Sequence, residues 1–276
     1  MKFLTLTTDF GCSEYVAQMK GVILGIAPEL HIIDISHEIG PQSIIEGAFV
    51  MMTSVVHFKR AVHVGVVDPG VGSSRRAVVF DCERGILVGP DNGLLVPAAE
   101  KLGLGPCYEI RDMKAAFISD EHEVSETFHG RDIFAPVAAR LAHGYIIPKD
   151  VGPRVNDFVK LDIMNCKISS TKATGMIVRV DHFGNMVTNL PRYLLKKVPA
   201  SGNLVVLVGE KRAMARAVRT YSDGNLGELL VLVSSSGFVE LSITNGRATD
   251  IISAHPGDPV ELRFWATDEE TKERKR

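Results

Sequence analysis

The strongest constraint on the fold of this chain is a change of hydrophobic rhythm near its middle. Up to His143, short apolar runs alternate with stretches of helical spacing; beyond Ser170 only short strand-like runs remain, cut apart by turn residues. Phe3 to Thr7 reads as a strand. A stretch with Val16, Met19, Val22, Ile23 and Ile26 on one face follows, and Pro28 stops it. Ile32 to Ile35 is the next strand and Gln42 to Val56 a second helix. Ala61 to Val67, Ala77 to Asp81 and Ile86 to Val88 are further strands. Strands alternating with helices predict an α/β unit, a mainly parallel sheet covered by helices on both faces. Ligands of such sheets sit beyond the carboxyl ends of strands. Asp9 and Asp68, each just past a predicted strand, therefore belong to one edge.

The second half predicts a different architecture. Arg131 to His143 is a helix, and Gly144 to Ser170, with Pro148, Gly152 and Pro153, reads as a linker. Beyond it come Met176 to Val180, Leu204 to Val208, Leu229 to Val233, Phe238 to Ile243 and Val260 to Trp265. Turn signals such as Gly184-Asn185, Asn245-Gly246 and Pro256-Gly257-Asp258 separate them. Several strands with frequent turns predict a smaller all-β barrel or sandwich. The expected organisation is an α/β domain over 1–160, a β-rich domain over 171–266 and a charged tail over 267–276.

Composition removes several function classes. A formal net charge of -2 gives no electrostatic footprint for nucleic acid. The four cysteines, Cys12, Cys82, Cys107 and Cys166, form no CxxC pair, so neither a zinc knuckle nor a disulfide framework is signalled, and a reduced, cytoplasmic setting is expected. No apolar run has the length of a membrane span, and the N-terminus lacks the pattern of a signal peptide. No HExxH or comparable spacing occurs, so no metal is expected.

The candidate chemistry lies in the turns. Asp68 leads into Pro69-Gly70-Val71-Gly72, with Arg75 and Arg76 just beyond. A strand ending in a Gly-rich turn lets backbone approach a ligand closely, though Asp68 could equally orient the turn through backbone hydrogen bonds. No Gly-Lys-Ser/Thr follows, which argues against a phosphate-binding P-loop. Asp9 could accept hydrogen bonds from vicinal hydroxyls such as those of ribose, or Asp9 or Ser13 could cap the following helix. His129, after Thr127-Phe128, precedes a helix start that favours an anionic guest. In Asp181-His182-Phe183-Gly184-Asn185, Asp can pair with an ammonium, Phe can pack on a heterocycle and Asn can read an amide-like base edge; the same residues also suit a plain β-turn. Asp91-Asn92-Gly93 reads as a turn. Ser234 to Ser236 offers hydroxyls to a carboxylate or amide, or forms an ordinary loop.

Five of these segments, in this order, resemble the S-adenosyl-L-methionine hydrolase family, also described as hydroxide adenosyltransferases. They are Thr8-Asp9-Phe10-Gly11, Val67-Asp68-Pro69-Gly70-Val71-Gly72, Pro90-Asp91-Asn92-Gly93, Thr127-Phe128-His129-Gly130-Arg131-Asp132 and Asp181-His182-Phe183-Gly184-Asn185. The likeness spans roughly residues 3 to 265 and extends to enzymes that use chloride or fluoride in place of water. The resemblance implies a water-handling triad of Asp68, Arg75 and His129, with Arg75 stabilising hydroxide character, His129 holding or accepting the proton and Asp68 orienting the water or Arg75. It implies ribose binding by Asp9 and substrate contacts from Phe128, Asp181, Phe183, Asn185, Ser235, Glu240 and Ala248. The family spacing favours Arg75 over Arg76. S-adenosyl-L-methionine is then the substrate, with no separate cofactor, and adenosine and L-methionine are the products. The assembly implied is a homotrimer with each site between subunits. Where this chain has His129-Gly130, the fluoride-using branch resembles Tyr-Ser, whose serine helps hold the halide, and this favours hydrolysis here. The alternatives are a halogenase and a non-catalytic binder of adenosine or S-adenosyl-L-methionine.

Overall fold

A computed structural model of the chain describes residues 1–111, 124–199 and 201–264. The chain divides into two compact units, Met1–Asp162 and Ile163–Arg276.

The first unit is built on β1 (Phe3–Thr8), β2 (His31–Ser36), β3 (Val62–Val66), β4 (Ala77–Cys82), β5 (Gly85–Pro90), β6 (Cys107–Glu109) and β7 (Arg154–Val155), in the sheet order β2-β1-β3-β5-β4-β6-β7. Its helices are α1 (Glu14–Ile26), α2 (Ile44–Ser54), α3 (Val96–Leu102) and α4 (Ala135–His143). Four strands, β2, β1, β3 and β5, are parallel as the βα alternation predicts. From β5 onward the sheet is antiparallel. The reason is local: Glu83 and Arg84 alone connect β4 to β5, and so short a link can only close a hairpin.

Helices cover both faces. Leu4, Leu6, Val62, Val64 and Val66 point to one side and share a core with Met19 and Ile23 of α1 and Val137 and Leu141 of α4. Each such side chain contributes about 1.5–3 kcal/mol by leaving water. On the other side Gly65 faces α2, where a Cβ would lie 2.4 Å from Met51 Sδ, so glycine is what allows α2 to reach the sheet. Helix α2 starts later than its apolar run predicts, because Gln42 adopts a left-handed φ of 61°. Helix α3 was not predicted; its seven residues are too few to show a helical period.

The second unit carries β8 (Lys167–Ile168), β9 (Lys172–Val180), β10 (Met186–Pro191), β11 (Asn203–Val208), β12 (Lys211–Ala217), β13 (Leu229–Val233), β14 (Phe238–Ile243), the short helix α5 (Ala248–Ile251) and β15 (Pro259–Arg263). The strand order β10-β14-β13-β12-β11-β15-β9 closes on itself through pairing of β9 with β10, and β8 adds to β9. Of the two β architectures expected, the unit is thus a barrel, and closure leaves its seven strands without an edge. Strands β10 and β12 went unpredicted. Polar Thr188 and Asn189 lie buried inside β10, while β12 turns only Ala213, Ala215 and Ala217 toward the core, and alanine has little β preference. Trp265 and the charged tail fall outside the described residues. Among the described residues no helix is long and apolar enough to cross a membrane.

Candidate active site

Strands β1 and β3 are neighbours, with Thr8 opposite Val66, so Asp9 and Asp68 emerge side by side at the carboxyl edge. After Asp68 the chain makes two successive turns, Val71 N to Asp68 O and Ser73 N to Gly70 O, which fold Arg75 back over the aspartate. The Asp68 carboxylate takes Arg75 Nε at 3.0 Å on both oxygens and Arg75 Nη2 at 2.5 Å on Oδ2. It therefore holds a guanidinium and not the backbone of its own turn. Arg75 Nη2 also lies 2.6 Å from His129 Nδ1. Gly72 seats this loop against the segment before His129: its φ is 76°, and a Cβ there would meet Glu126 O at 2.4 Å.

This geometry fixes protonation. A guanidinium only donates, so His129 Nδ1 accepts, and the neutral ring carries its proton on Nε2. Burial and the neighbouring Arg75 charge lower the His129 pKa, opposed by Asp68 and Asp132. His129 is thus held neutral, with Nε2–H left to donate. Arg75 is packed 5.3 Å from the Phe134 ring and its side chain is 10% exposed. Asp68 and His129 line the adjoining cleft, and Arg75 is not among its lining residues.

His129 sits at the start of a π-helical turn, Gly130–Phe134, that runs into α4; such turns often mark functional sites. Buried Asp132 anchors it, accepting from Ser125 N at 2.9 Å and from Arg131 Nε at 2.6 Å. Arg131 in turn donates to Gln18 Oε1 at 3.0 Å and lies 5.1 Å from the Phe128 ring.

These groups open on a cleft of about 710 Å³ lined by Asp9, Asp68, Phe128 and His129, together with Phe10, Tyr15, Gln18, Gln42 and Arg131. Phe10, Tyr15 and Phe128 meet edge to face, with ring centroids 5.1 to 5.7 Å apart, and form an aromatic wall. Asp9 Oδ2 accepts from Gln42 N at 2.8 Å, which pins the left-handed Gln42 and leaves Oδ1 for a ligand. Neither Asp9 nor Ser13 caps α1 through its side chain, so the capping alternative for this motif does not hold. Sequence reading missed Tyr15, Gln18 and Gln42; nothing in their spacing marks them, since α1 and the loop before α2 bring them in only on folding.

The remaining motifs separate into structural and open groups. Arg76 is a clip: it donates to Asp91 Oδ2 and Asp157 Oδ1, each at 2.8 Å. Asn92 donates to Val67 O at 2.8 Å and holds the strand end before Asp68, as suits a turn motif.

In the barrel unit, Asp181 to Gly184 makes a turn, and Asp181 accepts from Asn185 N at 2.8 Å and Nδ2 at 3.0 Å. Gly184, at φ 79°, packs against Arg247 and Thr249, and Thr249 N donates to Gly184 O, so Ala248 lies beside this turn. Met186 pairs with Leu241 and Val187 with Glu240, so the turn ends next to the strand carrying Glu240. Phe183 is 71% exposed, whereas Asn185, Glu240 and Ala248 are buried. Ser235 is exposed in the β13–β14 hairpin, where Ser234 and not Ser235 makes the loop's hydrogen bonds. Among the described residues no cluster of three or more His, Cys, Asp or Glu is placed to hold a metal.

Comparison with known proteins places this geometry. Residues 4–152 match the SAM hydroxide adenosyltransferase N-terminal domain and residues 175–261 the corresponding C-terminal domain. A protein of Salinispora tropica named (R)-S-adenosyl-L-methionine hydrolase is 40% identical over 94% of this chain and 97% of its own length. A fluorinase of an Actinoplanes species is 26% identical over 87% of this chain and 90% of its own length. A solved structure from Thermotoga maritima, described as an uncharacterized conserved protein, superposes with a TM-score of 0.85 at 37% identity, covering 95% of this chain and 99% of that one.

Proposed function

The chain belongs to the SAM hydroxide adenosyltransferase family, and from that membership we propose that it hydrolyses S-adenosyl-L-methionine to adenosine and L-methionine. The observation that carries this reading is the linked set Asp68–Arg75–His129 at the mouth of an aromatic-walled cleft that also holds Asp9. Water attacks the ribose C5′ in line with sulfur. The C5′–O bond forms, the C5′–S bond breaks with its electron pair going to sulfur, and the sulfonium becomes a neutral thioether. His129 Nε2–H donates to the water oxygen, and the Asp68 carboxylate accepts a water proton. Arg75 hydrogen-bonds to both and so holds the two side chains in place, with its charge helping to keep His129 neutral. Asp9 holds the ribose hydroxyls, and the rings of Phe10, Tyr15 and Phe128 keep bulk water from the sulfonium. The step balances without a cofactor.

Gly130 supports water over halide as nucleophile. It offers no hydroxyl, and a Cβ there would lie 3.2 Å from the Phe128 ring and 3.3 Å from Met19 Sδ. The barrel residues Asp181, Phe183, Asn185, Ser235, Glu240 and Ala248 supply the base and amino-acid contacts in this reading, contributed by a neighbouring subunit of a homotrimer in a cytoplasmic enzyme. The relatives' name specifies the (R) form, and the same preference is proposed here.

The test is incubation with S-adenosyl-L-methionine in ¹⁸O-water. The expected result is adenosine carrying the label at the 5′ oxygen, and faster consumption of the (R) than the (S) sulfonium. Removing His129 or Asp68 should cost roughly 10²–10⁴-fold in turnover. Unchanged turnover in His129→Ala and Asp68→Ala overturns the assigned roles, and chloride-dependent 5′-chloroadenosine would make the protein a halogenase.

A further inference from the structure

Glu240 is 4% exposed, and no lysine, arginine or histidine of the described residues pairs with it. Two hydroxyls instead converge on one of its oxygens: Tyr221 Oη donates to Oε1 at 2.7 Å and Ser242 Oγ donates to the same atom at 2.6 Å. A carboxylate oxygen only accepts, so both hydroxyl protons point at Oε1. Oε2 takes no hydrogen bond from a described residue, yet it is not among the sealed, unpartnered atoms. It is therefore the oxygen left open to a ligand. Ser242 alone already satisfies Oε1, so burial does not require a second donor. What the second donor does is fix the carboxylate plane.

The backbone around Tyr221 is clamped to serve this. Thr244 Oγ1 donates to Tyr221 O at 3.1 Å. Asp223 accepts from Arg219 N at 3.2 Å and Thr220 N at 3.0 Å. Arg216 ties the turn down through Asp223 O at 2.7 Å and Glu228 Oε1 at 2.7 Å. Tyr221 is 48% exposed, so it is not a core residue, and its hydroxyl is nevertheless directed at the buried Glu240 carboxylate.

We propose that Tyr221 is a positioning residue that aims Glu240 Oε2 at an N–H donor of the substrate; this rests on the reading of Glu240 as a substrate contact. S-adenosyl-L-methionine has two such donors, the 6-amino group of its base and the ammonium of its amino acid. The experiment compares wild type, Tyr221→Phe, Ser242→Ala and Glu240→Gln, each checked for an unchanged melting midpoint. Steady-state kinetics with S-adenosyl-L-methionine are combined with calorimetric titration of adenosine and of L-methionine. Loss of one hydrogen bond should raise KM about fivefold in Tyr221→Phe, with kcat within about twofold of wild type. Weakened adenosine binding assigns the donor to the base, weakened L-methionine binding to the ammonium, and either supports the proposal. The Tyr221→Phe effect should vanish in the Glu240→Gln background, because the hydroxyl acts only through the carboxylate. If Tyr221→Phe fails to fold, Ser242→Ala, which removes the other donor to Oε1, must show the same KM shift. Unchanged KM in Tyr221→Phe while Glu240→Gln is impaired overturns the positioning role alone. Unchanged KM in Glu240→Gln overturns the role of Glu240 as well.

Discussion

Arg75 shows how much one side chain can arrange. Its planar fork binds Asp68 on two nitrogens and still reaches His129; a lysine could make one of these contacts at a time. Arg75→Lys should therefore lower turnover by about 10²-fold, of the order lost when a pre-oriented electrostatic contact is removed, with the substrate KM little changed. The same residue sets the pH response. With the His129 pKa lowered by burial and by Arg75, the ring is neutral at and above its ordinary value of about 6.5, so kcat/KM should be flat there and fall only below it. A bell with a maximum under pH 6 would mean that protonated His129 is the active form. A second histidine affects stability instead. His63 is fully buried on β3, hydrogen-bonded to Thr5 Oγ1 at 2.8 Å, and burial lowers its pKa to about 4. The unfolded chain takes up a proton near 6.5 and the folded one only near 4, so stability should fall as pH drops through that window and level off below it. Replacing His63 with Gln should flatten the urea midpoint between those pH values. The motifs at this scale were legible because Asp68, Arg75 and His129 stand in short, unusual strings; which oxygen meets which nitrogen was not, since 54 residues separate Arg75 from His129.

At the scale of elements, the candidate site is formed by two loops seated against each other. Gly72, in the loop after Asp68, occupies a left-handed φ and touches Glu126 O, two positions before Phe128. Gly72→Ala should push these segments apart and strain the backbone by about 1–3 kcal/mol, seen as a lower melting midpoint together with a fall in kcat larger than the fall in stability accounts for. An unchanged kcat would mean that the seating is not what aligns Arg75 with His129. The parallel strands and α1 were readable because their periodicities are long and clean. Helix α3 and strands β10 and β12 were not, because the first is too short to show a period, β10 buries polar residues, and the core positions of β12 are alanines.

At the scale of the molecule, the residues proposed to act on or bind the substrate fall in both units. Asp9, Asp68, Arg75 and His129 belong to Met1–Asp162, whereas Asp181, Asn185 and Glu240 belong to Ile163–Arg276. A site between subunits predicts complementation. Asp68→Ala and Glu240→Ala, each inactive alone, should regain a fraction of wild-type turnover when unfolded, mixed and refolded together, because some mixed assemblies then contain a site with both halves intact. Light scattering should give a mass near three chains. Absence of recovery in mixtures shown to have exchanged subunits would mean that each chain builds its own site.

The amino-acid sequence by itself determined the class of each unit and marked the short motifs that carry the candidate side chains, because hydrophobic period and turn chemistry are local properties that survive in a linear string. Only the tertiary structure decided that Arg75 joins Asp68 to His129, that His129 Nδ1 accepts and so leaves the ring proton on Nε2, that Gln42 is pinned by Asp9, and that the Tyr221 hydroxyl meets Glu240. These depend on contacts between residues far apart in the chain, whose directions are set by packing and have no counterpart in spacing.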